Sequence, residues 1–285
     1  MTTLQEYNDF RQALATIYSR SEAEHITDWV FEQVTGKKKL ERRGLKAGDL
    51  SPDQLLLLKN HLSQLESHTP VQYVLGEAWF YKRKFLVNKH VLIPRPETEE
   101  LVEWIIQEIK QRENSGSCTI LDIGTGSGCI PISIKKEIPG CIVSALDVSE
   151  EALVVAKRNA TDNQADVHFL ELNFLDEQEW ETLSNFDIIV SNPPYIPLTE
   201  KGMLDKNVTD FEPSIALFVE DGNPFIFYIE IVRFAKKHLS PGGRLFVEVH
   251  EDFAGDVKTI FENSGFVATI KKDIYGKERM VGAQL

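Results

Sequence analysis

Cysteine is scarce in this chain. There are three, Cys118, Cys129 and Cys141, in 285 residues, with no C-x-x-C pair. An odd count without ligand spacing speaks against a zinc site or any other metal, and predicts buried thiols in a reducing cytoplasm. Long apolar runs are also missing: none approaches the roughly 18 residues that a membrane span needs. Met1 to Glu6 carry no basic region followed by an apolar stretch, so no signal peptide is expected and the protein is expected to be cytoplasmic. Positive charge is short too. The formal net charge is -13, and it is unevenly spread: residues 1–85 hold 12 Lys/Arg and 11 Asp/Glu, the rest 19 and 33. A surface that grips a phosphate backbone carries a positive footprint, so the larger part of the chain repels long nucleic acid. The local exception, Lys37-Lys38-Lys39-Leu40-Glu41-Arg42-Arg43, reads either as a solvated loop or helix end or as a contact surface for a partner or RNA.

What remains is the composition of a globular protein, 42% apolar and 26% charged, long enough for one large domain or two smaller ones. Apolar residues recur at three- and four-residue spacing over Tyr7–Ser19, Ser21–Thr35 and Ser51–Leu65, which predicts a small helical bundle in residues 1–72. Ser51-Pro52-Asp53 supplies a capping serine with proline at the first helical position. Residues 73–93 turn strand-like: Glu77–Tyr81 and Lys84–Val87 are aromatic-rich and alternating, and predict a β-hairpin linker between two domains. In residues 94–285 a helix from Thr98 to Lys110 and a polar stretch, Glu113–Ser117, lead into an α/β pattern. Strands are expected at Thr119–Ile123, Ile142–Asp147, Val167–Leu170, Phe186–Val190, Arg244–Val249, Phe266–Lys271 and Arg279–Ala283, with helices at Ser149–Ala160 and Pro224–His238. Apolar strands separated by helices argue for a doubly wound, mostly parallel sheet. The last two strands are too close for a crossover helix and should pair antiparallel.

Four segments carry chemistry. Gly124-Thr125-Gly126-Ser127-Gly128 follows the first strand and opens a helix; its glycines let the backbone turn tightly and approach a ligand. Its spacing differs from the G-x-G-x-x-G pyrophosphate signature, and Cys129-Ile130-Pro131 follows where a phosphate-binding lysine would stand, which disfavours P-loop use of ATP. The second strand ends at Asp147, placed to accept both hydroxyls of an adenosine ribose. Asp122 could bond the amides of the turn or reach a ligand amino group. Asn173-Phe174, after the third strand, suits the edge and face of adenine, or Phe174 belongs to the core.

The fourth strand delivers Asn192-Pro193-Pro194-Tyr195 to the same sheet edge. A planar amine or amide nitrogen is a poor nucleophile until it is held. The Asn192 oxygen and the Pro193 carbonyl can each accept one N–H, the prolines stiffen the loop, and Tyr195 can pack on the flat group. Together they would aim the nitrogen at an electrophilic carbon and meet the positive charge that grows on it.

The order Asp122 to Gly128, Asp147, Asn192 to Tyr195 resembles S-adenosylmethionine-dependent methyltransferases acting on exocyclic or amide nitrogen. Leu92-Ile93-Pro94-Arg95-Pro96-Glu97-Thr98-Glu99, preceded by Pro70 to Gly76, narrows it. With Phe211-Glu212-Pro213, Ala216-Leu217, Asp221-Gly222 and the Asp273 to Arg279 stretch, it is similar to the peptide chain release factor glutamine methyltransferase family. Val249 to Phe253 and Phe218 to Glu220 depart from that pattern, at the substrate rim. The resemblance implies a doubly wound seven-stranded methyltransferase sheet with an antiparallel C-terminal hairpin and an N-terminal helical substrate-recognition domain. It implies S-adenosyl-L-methionine held by Gly124, Thr125, Gly126, Ser127, Gly128, Asp147, Phe174 and Asn192. Asn192, Pro193, Pro194 and Tyr195 would receive the substrate, with Asn192, Pro193 and Tyr195 catalytic. The substrate would be the amide N5 of the glutamine in the Gly-Gly-Gln loop of class 1 release factors, met by a monomer with no DNA requirement and no membrane.

Independently of the family, the two prolines around Arg95 make a stiff connector, with Glu97 to Glu99 in the first turn of a helix; Arg95 suits a salt bridge or substrate contact. An adenine-N6 methyltransferase on DNA or RNA could use the same clamp on a flipped base, against the acidic charge. A ribosomal-protein glutamine methyltransferase would share clamp and chemistry. An NAD-dependent oxidoreductase lacks its glycine turn here, and a non-catalytic module would bind no S-adenosylmethionine.

Overall fold

The computed structural model describes residues 3–42, 50–112 and 117–285. Arg43, at the end of the basic cluster, and most of the Glu113–Ser117 stretch lie outside them. The chain divides into two compact units: residues 1–76 with 205–211, and residues 77–204 with 212–285.

The smaller unit is helical: α1 (Thr3–Leu14), α2 (Arg20–Thr35), α3 (Lys39–Arg42), α4 (Pro52–Glu66) and α5 (Val71–Leu75). Its ends follow local chemistry. The Ser51 side chain accepts from the Gln54 N–H while Gln54 reaches back to the Ser51 N–H, a capping box worth about 1 kcal/mol. Gly36, at φ 68°, closes α2. The packed face joins Phe10, Leu14, Val30, Phe31, Leu58 and Leu65, with Phe31 edge-on to Tyr7 and Phe10. Lys39 of the basic cluster pairs with Glu24 and Asp28 at 2.8 Å each, so this lysine is committed to α2.

The larger unit begins with a hairpin, β1 (Glu77–Phe80) and β2 (Arg83–Leu86), followed by α6 (Pro96–Gln111). The expected hairpin is present, but it belongs to the larger unit: inward-facing Phe80 and Phe85 join the core with Leu101, Ile105 and Ile109 of α6. The main body continues with β3 (Thr119–Ile123), α7 (Cys129–Glu137), β4 (Ile142–Asp147), α8 (Glu150–Asp162), β5 (His168–Glu171) and β6 (Phe186–Ser191). Then come β7 (Ile196–Pro197), α9 (Lys206–Thr209, grouped with the smaller unit), α10 (Ser214–Leu217), β8 (Phe218–Val219), α11 (Ile226–His238), β9 (Leu239–Glu248), α12 (Ala254–Asn263), β10 (Val267–Lys272) and β11 (Glu278–Gln284).

Seven strands form one sheet in the order β10-β11-β9-β6-β3-β4-β5. The five from β9 to β5 are parallel, and β11 runs antiparallel to both β9 and β10. From β3 the chain winds outward to β5, then returns to β6 on the other side of β3. That reversal opens a crevice at the carboxyl ends of β3 and β6, where open α/β sheets bind ligands. One apolar cluster lies around Tyr228, Ile231 and Phe234 of α11, the other around α6 and α7.

The cysteines depart from expectation. Cys118 and Cys141 form a disulfide with Cα atoms 4.7 Å apart, and only Cys129 is a free, buried thiol. The reason is register. Thr119 of β3 stands opposite Ile142 of β4, so the residues just before them become lateral neighbours. Their separation of 23 in sequence gives no hint of that adjacency.

Candidate active site

The crevice holds a cavity of about 400 Å³, within the range of small-molecule sites. One side is lined by Gly124, Thr125, Gly126 and Ser127 after β3, by Asp147 at the end of β4, and by Asn173 and Phe174 after β5. The glycine turn is backbone architecture. Gly124 and Gly126 have φ of 74° and 53°, and an added Cβ at either would meet nothing within 4 Å, so the space above them is open. Gly128 differs. It does not line the cavity; a Cβ there would stand 3.0 Å from Ile132 and 3.2 Å from the Ala156 Cβ, so it serves close packing of α7 on α8.

Asp147 accepts the Gly126 N–H at 2.8 Å and the Ser149 N–H at 3.0 Å, one on each oxygen. Each carboxylate oxygen retains a further acceptor site, which leaves the group fit for a diol. Burial raises its pKa, while these amides and that of Val148 oppose the rise. Asp122 lies fully buried beneath the turn, and neither of its oxygens has a hydrogen-bond partner. Burial pushes its carboxyl up to about 7; Thr125, near but outside hydrogen-bond geometry, moderates the shift and the charge of Asp147 adds to it. Asp122 does not itself line the cavity, so its effect on a ligand with a cationic part would pass through the turn above it. Phe174 is both core and lining: it stacks on Trp180 at 5.3 Å and also borders the cavity. Cys129 also lines the wall, but burial pushes its thiol up to about 12, leaving it without nucleophilic character at neutral pH.

On the opposite side Asn192, Pro193 and Pro194 leave β6 and line the same cavity, joined by Arg95 and Thr98. Tyr195 does not line it. Its ring packs against the core and its hydroxyl bonds the Glu248 carboxylate at 3.2 Å, because the two preceding prolines turn the chain back toward β9. Burial first, then the Glu248 charge, raises the phenol far above its ordinary pKa. The clamp loop is closed from outside by a short parallel pair, β7 on β8, and by Asp221, which accepts from the Thr199 backbone and hydroxyl.

A methyltransferase small domain matches residues 102–209. Two solved structures share the fold. A methyltransferase from Pyrococcus furiosus is 21% identical, with TM-score 0.50 over 70% of this chain and 86% of its own. A 16S rRNA methyltransferase from Thermus thermophilus, in complex with AdoMet and guanosine, is 17% identical, with TM-score 0.50 over 73% of this chain and 49% of its own. The release factor glutamine methyltransferase of Flavobacterium psychrophilum is 43% identical over 275 residues, covering 95% of both chains. That of Bacteroides thetaiotaomicron is 39% identical over 96% of both.

The chain belongs to the release factor glutamine methyltransferase family. It is an S-adenosylmethionine-dependent methyltransferase, and the open glycine turn, the Asp147 acceptors and the orphaned Asp122 fit that cofactor. Four residues of this family member escaped the sequence reading of the site. Glu212, with its side chain 1% exposed, accepts the Ile93 N–H at 3.0 Å and the Arg95 guanidinium at 2.6 Å, pinning the proline connector at the cavity wall. Asn159 of α8 bonds the Ser127 carbonyl and both backbone groups of Leu86, tying β2 to the glycine turn. Thr98 and Glu248 stand behind Asn192. Glu212, within Phe211-Glu212-Pro213, and Thr98, within Leu92 to Glu99, were visible as parts of the family resemblance; Asn159 and Glu248 carry no spacing signal. Among the described residues no group of three or more His, Cys, Asp or Glu could hold a metal ion, and no helix is long and apolar enough to cross a membrane.

Proposed function

We propose that this enzyme methylates the side-chain amide nitrogen of the glutamine in the Gly-Gly-Gln loop of class 1 peptide chain release factors. The observation that carries the reading is Asn192: its Nδ2 is engaged by the Thr98 hydroxyl at 3.2 Å, which leaves its Oδ1 as the acceptor for the cavity. An acceptor suits the N–H of a primary amide. S-adenosyl-L-methionine, when bound, would supply an electrophilic methyl carbon at the crevice; its S–C bond would break as the N–C bond forms, and S-adenosyl-L-homocysteine would leave as a neutral thioether. Asn192 Oδ1 takes one amide N–H and the Pro193 carbonyl takes the other, so that the nitrogen faces the donor side. Both acceptors gain as positive charge develops on nitrogen. No base is required beforehand, because the proton becomes acidic only once the new N–C bond exists, and it then leaves to solvent. Gly124, Gly126, Asp147 and Phe174 hold the donor; Tyr195 holds the clamp loop from behind.

The acidic balance of residues 86–285 supports a protein acceptor over nucleic acid. A proline connector pinned by Glu212, and a separate helical unit preceding it, support a substrate that gains orientation from more than one contact. A cytoplasmic location and a monomeric state accompany this reading. The test incubates the enzyme with labelled cofactor and, separately, a purified class 1 release factor, ribosomal protein and RNA, followed by mass mapping. Label on the Gly-Gly-Gln glutamine is expected. Label only on a ribosomal protein or on adenine overturns the reading.

A further inference from the structure

Behind the clamp lies a polar chain whose inner members are buried and whose outer end, at Thr98 and Asn192, borders the cavity. Glu248, at the end of β9, is 2% exposed, and so is Thr98 in the first turn of α6. The Thr98 hydroxyl donates to Glu248 Oε2 at 2.6 Å, and the Tyr195 hydroxyl donates to Oε1 at 3.2 Å. The Tyr228 hydroxyl bonds the Glu248 carbonyl at 3.1 Å and fixes the backbone there. Asn192 Nδ2 donates to Thr98 Oγ1 at 3.2 Å.

The direction of these bonds follows from valence. Burial raises the Glu248 pKa, while the Thr98 and Tyr195 hydroxyls and the Arg279 charge favour its ionised form; in that form the carboxylate only accepts, and a threonine hydroxyl has one proton. Once that proton is given to Glu248, Thr98 can only accept from Asn192. The asparagine must then turn its NH2 toward Thr98 and its carbonyl oxygen toward the cavity. With the amide reversed, Asn192 would present N–H to the N–H of an incoming amide, a repulsive pairing, and two oxygens would face each other at Thr98. A side-chain amide has no preference of its own between these two states.

We propose that Thr98, locked by the Glu248 carboxylate, is a positioning residue that sets the polarity of Asn192 and so its ability to receive an amide N–H. This rests on the role given to Asn192 above. Thr98 contacts neither reacting atom; it acts through the asparagine. The Glu248 carboxylate also holds the Tyr195 end of the clamp loop through its second oxygen, so one buried charge orders both ends of the clamp.

Two measurements test this. Thr98→Val keeps the shape and removes the hydroxyl. It should lower kcat by about tenfold or more, as a misaligned acceptor does, with the cofactor Kd unchanged within twofold by calorimetry, and Thr98→Ser should restore kcat. Equal kcat in wild type and Thr98→Val, with the valine variant folded, overturns the proposal. So does a loss that serine fails to restore. The second measurement needs no acceptor substrate and therefore separates failure of this relay from failure of the functional reading. In nuclear magnetic resonance of the whole protein, one Asn192 side-chain N–H should be protected from water exchange in wild type and in Thr98→Ser, and exposed in Thr98→Val. Two freely exchanging protons in the wild type would refute the relay whatever the enzyme methylates.

Discussion

The donor and acceptor sides of the cavity face each other across one crevice but are held by different means. On the donor side, ligand-facing groups are positioned by backbone: a turn with three positive-φ glycines, two of them at the cavity, and a carboxylate satisfied by amides 21 and 2 residues away. On the acceptor side, Asn192 is held by Thr98, 94 residues earlier, and Thr98 by Glu248, 150 residues later. A site assembled from local turns survives the loss of one side chain better than a site assembled from a chain of single hydrogen bonds. The donor side should therefore fail through strain and charge, and the acceptor side through orientation.

The sharpest way to break the comparison is Asn192→Ala. Methyl transfer should fall by about two powers of ten or more while the fold and the thermal midpoint hold; single-turnover kinetics with labelled cofactor measures it. Unchanged turnover removes Asn192 from the mechanism and with it the contrast between the sides.

Asp122→Asn comes next, on the donor side. A carboxyl raised from 3.8 to about 7 in the folded state binds its proton more tightly there than in the unfolded chain. Its contribution to stability is complete below about pH 3.8 and is lost as pH rises to about 7. The asparagine variant should remove that slope and be more stable than wild type at pH 8. It should also bind S-adenosylmethionine more weakly above about pH 7, where the wild-type carboxyl beneath the turn is ionised. Denaturant titrations at pH 5 and pH 8 read the first effect and calorimetry the second. Parallel pH profiles for both proteins would contradict the assignment.

The smallest effect is expected at Gly128. Alanine there places a Cβ against Ile132 and Ala156 at φ 78°, costing about 1–2 kcal/mol through strain and crowding. A lower thermal midpoint with near-normal kcat is the expected result. A kcat loss without destabilisation would mean that Gly128 touches ligand after all.

These contrasts also separate what could be read from the chain from what could not. The glycine turn, Asp147 and the Asn192 to Pro194 clamp were legible because each is a short run whose chemistry is local, and the sheet delivers all of them to one edge. All seven strands lie at or near the expected positions, β9 alone starting well before Arg244, at Leu239. The hairpin at Glu77–Leu86 was legible as a hairpin but not as part of the larger unit, because attachment depends on what Phe80 and Phe85 meet. Tyr195 was expected to face the ligand; nothing in its neighbourhood in sequence reveals an acceptor at Glu248. Thr98 read as an ordinary first-turn helix residue, and Glu248 as the polar end of an apolar strand.

The sequence by itself determined the α/β pattern, the glycine turn after β3 and the proline-stiffened loop at Asn192, since period, glycine placement and proline stiffness are properties of neighbouring residues. Only the tertiary structure decided which way the clamp's amide points and which cysteines meet. Both depend on β-strand order and register, which place residues 23 to 150 positions apart within bonding distance.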